Sequence, residues 1–376
     1  MTCLRIYALI SLFLTGSLYS EDALPEKAMT LIDKKVKKYM KDQNIAGLSI
    51  GVIRDNKVVL TKGYGFSRIK TNERMSEDTI VTLASNSKPI IAAIILQLAN
   101  EKKIDLDEDI RKYLPMLPKS EKGIVTTRLL LNHQSGFMHY TNGEKKRLDP
   151  KRLPLAETLD PLGAMKMYGA SELIFKPGLK YSYSSYGYML LSALAVKVEN
   201  KKWDTIINER IAKPLGLTSV TLDSPYTGQK NWSGSYDFDA DKNKLLLRRD
   251  TMQGWKHGAG GIKMSVKDFA RWTQALLKYE ILNEKTSKQM WERQVSKEGP
   301  TNYGLGMQLF MKDKRGQVLG HGGRNESLTG MIFRPESKTG FVVLCNSPNS
   351  KFSTIQFLYY LDAVVHHIDR SKANQK

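Results

Sequence analysis

The chain has 376 residues, 41% of them hydrophobic, which is the content of a globular protein large enough for one big domain or two ordinary ones. Lys and Arg number 58 against 38 Asp and Glu, giving a formal charge of +20. No nucleic-acid-binding motif accompanies that charge, so nucleic acid is not expected as a partner, and the basic clusters taken together fit an anionic cell wall or membrane surface.

The first twenty residues hold one charge, Arg5, followed by the nine-residue apolar run "IYALISLFL" and then "TGSLYS". This predicts a cleaved secretory signal over residues 1–20, too short to span a bilayer, and a periplasmic or secreted product. An uncleaved anchor is the less favoured rival. Cys3 leaves with the signal, so Cys345 in "VVLCNS" stands alone, and its apolar strand setting predicts core packing. Residues 25–42 place Met29, Ile32, Val36 and Met40 at helical spacing between lysines. "AGLSIGVIRDNKVVLTKGYGF" then reads as two strands around an Asp55-Asn56 turn. From about residue 85 to 295 the pattern is helices and long loops, with further basic clusters beginning at Glu144 and ending at Asp250. Strand character returns from about residue 302, and a last helix is predicted from about Thr354 to Ile368.

The expected fold is therefore α/β (α+β). Residues 21–84 and 296–376 would form an antiparallel sheet flanked by the N- and C-terminal helices, residues 85–295 a mainly helical lobe, with a site in the cleft between them.

HExxH, CxxC, P-loop and strand-linked GxGxxG motifs are absent, so no metal or cofactor is expected. A GxSxG match at Gly47–Gly51 lies inside a strand run, which is the wrong setting for a nucleophile elbow, and Ser49 is read as a sheet residue. Ser-x-x-Lys occurs twice. Ser67 and Lys70 enter a polar loop that would not hold them together, whereas Ser85 and Lys88 open the buried run "IIAAIILQL". In a helix, positions i and i+3 share a face. A serine hydroxyl needs a neighbour to take its proton, and a lysine does this only where desolvation favours its neutral form. Against that reading Ser85 could be a helix N-cap, and on these residues alone the two readings stand even.

Further segments follow in order: "FKPGLKYSYSSYGYMLLSALAVKVENK" with Tyr183-Ser184-Ser185 heading a second buried helix, the Gly-rich "GWKHGAGGIKMSVKDFARW", and "VLGHGGRNESLTGMIFRPE" with His321-Gly322-Gly323. Over roughly residues 25 to 365 the chain resembles the serine hydrolases of the β-lactamase and penicillin-binding-protein superfamily. The nearer likeness is to its class C-like branch of D-stereospecific peptidases, esterases and a mitochondrial β-lactamase-like protein, supported by "LLLNHQSGF" and "IAKPLGL".

The resemblance implies a β-lactamase/transpeptidase-like fold with Ser85 as acylated nucleophile, Lys88 as its proton partner and Tyr183 as the phenol that protonates the leaving group and later activates water. His321, Gly322 and Gly323 would wall the site on an edge strand, and the backbone N–H groups of Ser85 and Arg324 would form the oxyanion hole. Two departures stand out. Ser185 replaces the asparagine of the usual Tyr-x-Asn, and His-Gly-Gly replaces Lys-Thr-Gly, which removes a fixed cation and a hydroxyl. Arg324 is the candidate to restore the cation. Lys338-Thr339-Gly340 is read as a hairpin turn, and His133 and Ser135 as stabilising the turn after a helix.

These features predict an exported serine hydrolase acting through an acyl-enzyme on small acyl or peptide substrates, as a D-Ala-D-Ala carboxypeptidase or D-aminopeptidase type of peptidase or as an esterase. The alternatives are a class C-like β-lactamase, or a catalytically degenerate module that binds the wall or membrane surface.

Overall fold

The structure is a computed structural model and describes residues 23–139, 160–165, 172–222, 230–248 and 256–373. The expected signal and the basic cluster beginning at Glu144 lie outside the described residues.

The N-terminal helix, Glu26–Asp42, buries Ala28, Ile32 and Val36 and turns its lysines outward. Strands β1 (Gly47–Arg54) and β2 (Lys57–Arg68) follow. They are joined by Asp55 and Asn56 at φ +51° and +61°, the left-handed torsions a two-residue hairpin turn requires and Asp and Asn tolerate. β3 (Glu73–Arg74) and β4 (Ile80–Thr82) lead to the buried helix Ser87–Asn100. The middle of the chain adds the helices Thr127–Leu131 and Ser185–Glu199 and the short strands β5 (Thr221–Leu222), β6 (Tyr236–Asp239), β7 (Lys244–Leu247) and β8 (Ile262–Ser265). After the helix Val266–Leu277 come the small hairpin of β9 (Val295–Ser296) and β10 (Gly299–Pro300), then β11 (Gln308–Asp313), β12 (Gly316–Arg324), β13 (Leu328–Arg334) and β14 (Thr339–Cys345). The last helix, Thr354–Ala373, begins where predicted and runs further. Among the described residues no helix is long and apolar enough to cross a membrane.

The main sheet has the order β11-β12-β13-β14-β1-β2-β3, and its pairings are antiparallel. Strand β14 meets β1 from Leu48↔Cys345 to Ile53↔Gly340, so the two ends of the chain close one sheet. Alternation sends Leu48, Ile50, Val52, Val343 and Cys345 into a core shared with the terminal helices. Burial pushes the Cys345 thiol up to about 12, in keeping with a packing role.

The opposite face needs its own cover, because the strands are apolar on both sides. The Val266–Leu277 helix supplies it, packing against β1 and β14 with Phe269, Ala270 and Trp272 buried. A Cβ on Gly51 would come within 2.9 Å of the Ala270 Cβ, so glycine lets this helix approach closely. The helix lies within residues 85–295, the stretch read as the second lobe, yet it is part of the sheet layer. Terminal helices alone leave half the sheet bare.

Arg334 is buried between Asp313 and Asp362, with Nη1 2.9 Å from Asp313 Oδ1 and Nη2 3.2 Å from Asp362 Oδ2, and Arg315 joins Asp362 at 2.7 Å. This cluster ties the β11–β13 end of the sheet to the last helix. Asp362→Ala, which strips a buried guanidinium of one partner, is expected to cost about 3 kcal/mol in urea denaturation. An unchanged midpoint would show that Asp313 alone satisfies Arg334.

Candidate active site

Ser85 sits in a single 3-10 turn, Ala84–Asn86, directly before the Ser87–Asn100 helix. The N-cap position belongs to Asn86, whose side chain makes no capping bond, so the cap reading of Ser85 does not hold. Ala84 has φ +49°, a torsion that costs a residue with a Cβ and persists only where surroundings enforce it. They do so here. Thr329 on β13 donates its hydroxyl to Leu83 O at 2.6 Å and accepts from Asn86 Nδ2 at 2.8 Å. Gly323 on β12 lies so near that a Cβ would fall 2.7 Å from Leu83 O and 3.1 Å from the Ala84 Cβ. Glycine at 323 thus lets the strand reach the serine turn.

Lys88 is completely buried, with Nζ 3.1 Å from Ser85 Oγ and donating to Ala259 O at 2.9 Å. Desolvation, followed by the charge of Lys256, pushes its ammonium down to about 7. One N–H anchored on Ala259 leaves the lone pair of the neutral amine for the serine. The rings of Tyr183 and Tyr188 lie 5.1 and 5.6 Å from Nζ.

Tyr183 comes just before the N-cap of the Ser185–Glu199 helix. Ser184 Oγ caps that helix by accepting from Gly187 N at 3.1 Å, and it donates to Met138 O at 2.8 Å. Two imidazoles grip the same segment: Ser184 N donates to His133 Nδ1 at 3.1 Å and Ser185 N to His139 Nδ1 at 3.2 Å. The His133 ring packs 4.3 Å from that of Tyr183 and 4.6 Å from that of Tyr303. Burial, then the charge of Lys88, hold His133 well below the usual imidazole range. Neutral, with Nδ1 accepting, it carries its proton on Nε2. His133 therefore positions Tyr183 as well as stabilising a turn, a role that "LLLNHQSG" signals only as a buried histidine beside a helix end.

His321 is also buried and neutral, pushed down to about 3 by desolvation and by Lys88. Its Nε2 lies 3.0 Å from Tyr303 OH and its Nδ1 2.6 Å from Gly322 O. The imidazole thus faces the tyrosine cluster rather than the crevice. β12 is not the edge strand expected, since β11 pairs with it as far as Gly320. β11 stops there, which leaves the flank of residues 321–324 past its end, where the Gln308 side chain reaches Gly322 N at 3.3 Å.

Ser85, Ser185, Met189, Lys256, Arg324 and Asn325 line a narrow crevice over the serine. The Arg324 guanidinium donates to Pro348 O at 2.7 Å, so a substrate carboxylate would compete with that carbonyl. The rejected motifs fall elsewhere. Ser49 is buried in β1; Ser67 Oγ donates to Glu73 O at 3.2 Å and Lys70 is exposed; Lys338, at φ +54°, turns between β13 and β14. Among the described residues no His, Cys, Asp and Glu group is arranged to hold a metal ion.

Lys88 is buried without a carboxylate among its hydrogen-bond partners, which destabilises the fold. Its folded-state pKa lies below the unfolded value, so the unfolded chain binds more protons and stability rises with pH from about 7 to about 10.5. Lys88→Met is expected to stabilise the protein by about 2 kcal/mol at pH 6, with the gain shrinking as pH climbs through that window. Urea titrations at several pH values check this, and a less stable variant at pH 6 would refute it.

The beta-lactamase family model matches residues 32–364. Protein flp of Staphylococcus aureus (strain N315) is 24% identical over 353 residues, covering 92% of this chain and 66% of that protein, so the chain spans about two thirds of such a relative. Among solved structures, the octameric penicillin-binding protein homologue from Pyrococcus abyssi superposes with a TM-score of 0.76 at 21% identity, covering 90% of this chain and 77% of that one. EstCE1, a hydrolase with promiscuous acyltransferase activity, gives a TM-score of 0.76 at 20% identity, with 90% and 99% covered. The fold is thus that of a known family, and the chain belongs to the beta-lactamase family.

Proposed function

We propose that the protein is a serine hydrolase acting through an acyl-enzyme at Ser85, as a peptidase or esterase on small acyl substrates. The observation that carries this reading is a buried amine at Lys88, poised to lose its proton near pH 7, 3.1 Å from the Ser85 hydroxyl. As Oγ attacks the acyl carbonyl, the neutral amine takes the hydroxyl proton, and the backbone N–H groups of Ser85 and Arg324 receive the negative oxygen. The Tyr183 phenol hands a proton to the leaving group as its bond breaks. In the second half the Tyr183 phenolate takes a proton from water, whose oxygen attacks the acyl carbon, and the Lys88 ammonium returns its proton to the departing Ser85 Oγ.

Two features favour ester and peptide substrates over β-lactams. Ser185 offers a hydroxyl in place of a carboxamide, and His321 is neutral and turned away from the crevice, so the third motif contributes no cation to a substrate carboxylate. A D-aminopeptidase or esterase needs no cation for a substrate carboxylate, whereas a D-Ala-D-Ala carboxypeptidase would need Arg324 to supply it; either peptidase suits an exported location, with the basic surface held near an anionic wall or membrane. A class C-like β-lactamase is the second reading, favoured by Arg324 at the crevice.

Intact-protein mass after treatment with a fluorophosphonate is expected to show one adduct, lost in Ser85→Ala. Its rate should rise about tenfold per pH unit below 7 and level off above it, as Lys88 loses its proton. Tyr183→Phe should keep the adduct but lower peptide or ester turnover about 10²-fold or more. Absence of any adduct on folded protein would leave the fold serving only as a binding module, and rapid turnover of a chromogenic cephalosporin would favour the β-lactamase reading.

A further inference from the structure

Past the end of β11, the flank of β12 is the strand edge beside the serine turn, and an edge of this kind takes up an extended chain through backbone hydrogen bonds. In an antiparallel strand the N–H and C=O of one residue point to the same side, and alternate residues share a side. Gly322 N points to the β11 side, since it meets Gln308 Oε1 at 3.3 Å. Gly322 O faces that flank too, and so do the N–H and C=O of Arg324, two residues on. Gly322 and Gly323 are half-buried and Arg324 is exposed, which puts the flank within reach of a substrate.

Both backbone groups of Gly322 are already engaged by the protein's own side chains. A carbonyl only accepts, so the 2.6 Å contact between His321 Nδ1 and Gly322 O places the imidazole proton on Nδ1. In the neutral ring Nε2 is then bare, and it accepts from the hydroxyl of the buried Tyr303 at 3.0 Å. Tyr303 thus fixes the tautomer that holds the carbonyl. Gln308, whose own backbone pairs with Gly320, holds the N–H from the end of β11. A peptide lying along the flank would meet Arg324 and then find Gly322 satisfied. Pairing there exchanges one hydrogen bond for another and gains little.

We propose that His321, set by Tyr303, and Gln308 cap Gly322 and so confine backbone recognition beside Ser85 to Arg324, selecting short acyl or peptide groups over extended peptides. The substrate class rests on the serine hydrolase reading above; Gln308 and Tyr303 enter as positioning residues that set specificity.

Calorimetric titration with acetyl-D-alanyl-D-alanyl-D-alanine methylamide in a Ser85→Ala background, which removes turnover, tests the cap. Adding Gln308→Ala, at a half-buried position, frees Gly322 N and should tighten binding about three- to tenfold. His321→Gln moves the amide one bond outward toward Tyr303, and it should tighten binding more than His321→Asn, which keeps an amide N–H where Nδ1 stood. Equal or weaker binding in Gln308→Ala, or no binding of the peptide in any variant, would overturn the cap. The fluorophosphonate adduct on the wild-type protein separates the two readings. An adduct with unmoved peptide binding would leave the serine chemistry standing without the cap, and tighter binding with no adduct would keep the cap and overturn the acyl chemistry.

Discussion

An amine shut away from water governs this structure. A lysine in the interior stays charged only at a cost of several kcal/mol, and Lys88 has the serine hydroxyl, a carbonyl and aromatic faces around it rather than a hydrogen-bonded carboxylate. The same burial that weakens the fold makes the group a base at neutral pH. Everything near it serves to keep the amine dry and the serine in reach: the helix that carries it, the tyrosines over it, and the strand pressed on the turn in front of it.

That arrangement depends on parts of the chain far apart in sequence. The serine turn is bolted from outside by Thr329 and crowded by Gly323, whereas Tyr183 is held from the other side by histidines at 133 and 139. The strained torsion at Ala84 reports how firmly the turn is held. Two neutral imidazoles do structural work here. Each sits where a charge would raise the energy of the buried ammonium, and burial keeps both His133 and His321 deprotonated.

Much of the fold was legible in local pattern. The Asp55-Asn56 turn, the apolar spacing of the first helix and the returning strand character near residue 302 each follow from nearest-neighbour chemistry. So did the choice between two Ser-x-x-Lys motifs, because only Ser85 opens a buried helix. Non-local features were not legible. That the Val266–Leu277 helix belongs to the sheet depends on a second apolar face that becomes visible only once β1 and β14 pair. The place of β12 inside the sheet depends on β11, and the inward turn of His321 depends on Tyr303, eighteen residues away in sequence. The Ala259 carbonyl that anchors Lys88 carries no side-chain signature at all.

The seam between β1 and β14 has a kinetic meaning. Its paired residues stand nearly three hundred positions apart, so the central sheet cannot close until the C-terminal strands are available. Until then the β1–β2 hairpin presents an apolar edge with unpaired backbone groups, the kind of surface that draws chains into aggregates. The central sheet therefore closes late, and a chain cut short before β11 would keep its serine, lysine and tyrosine while lacking the strands that give them a shape.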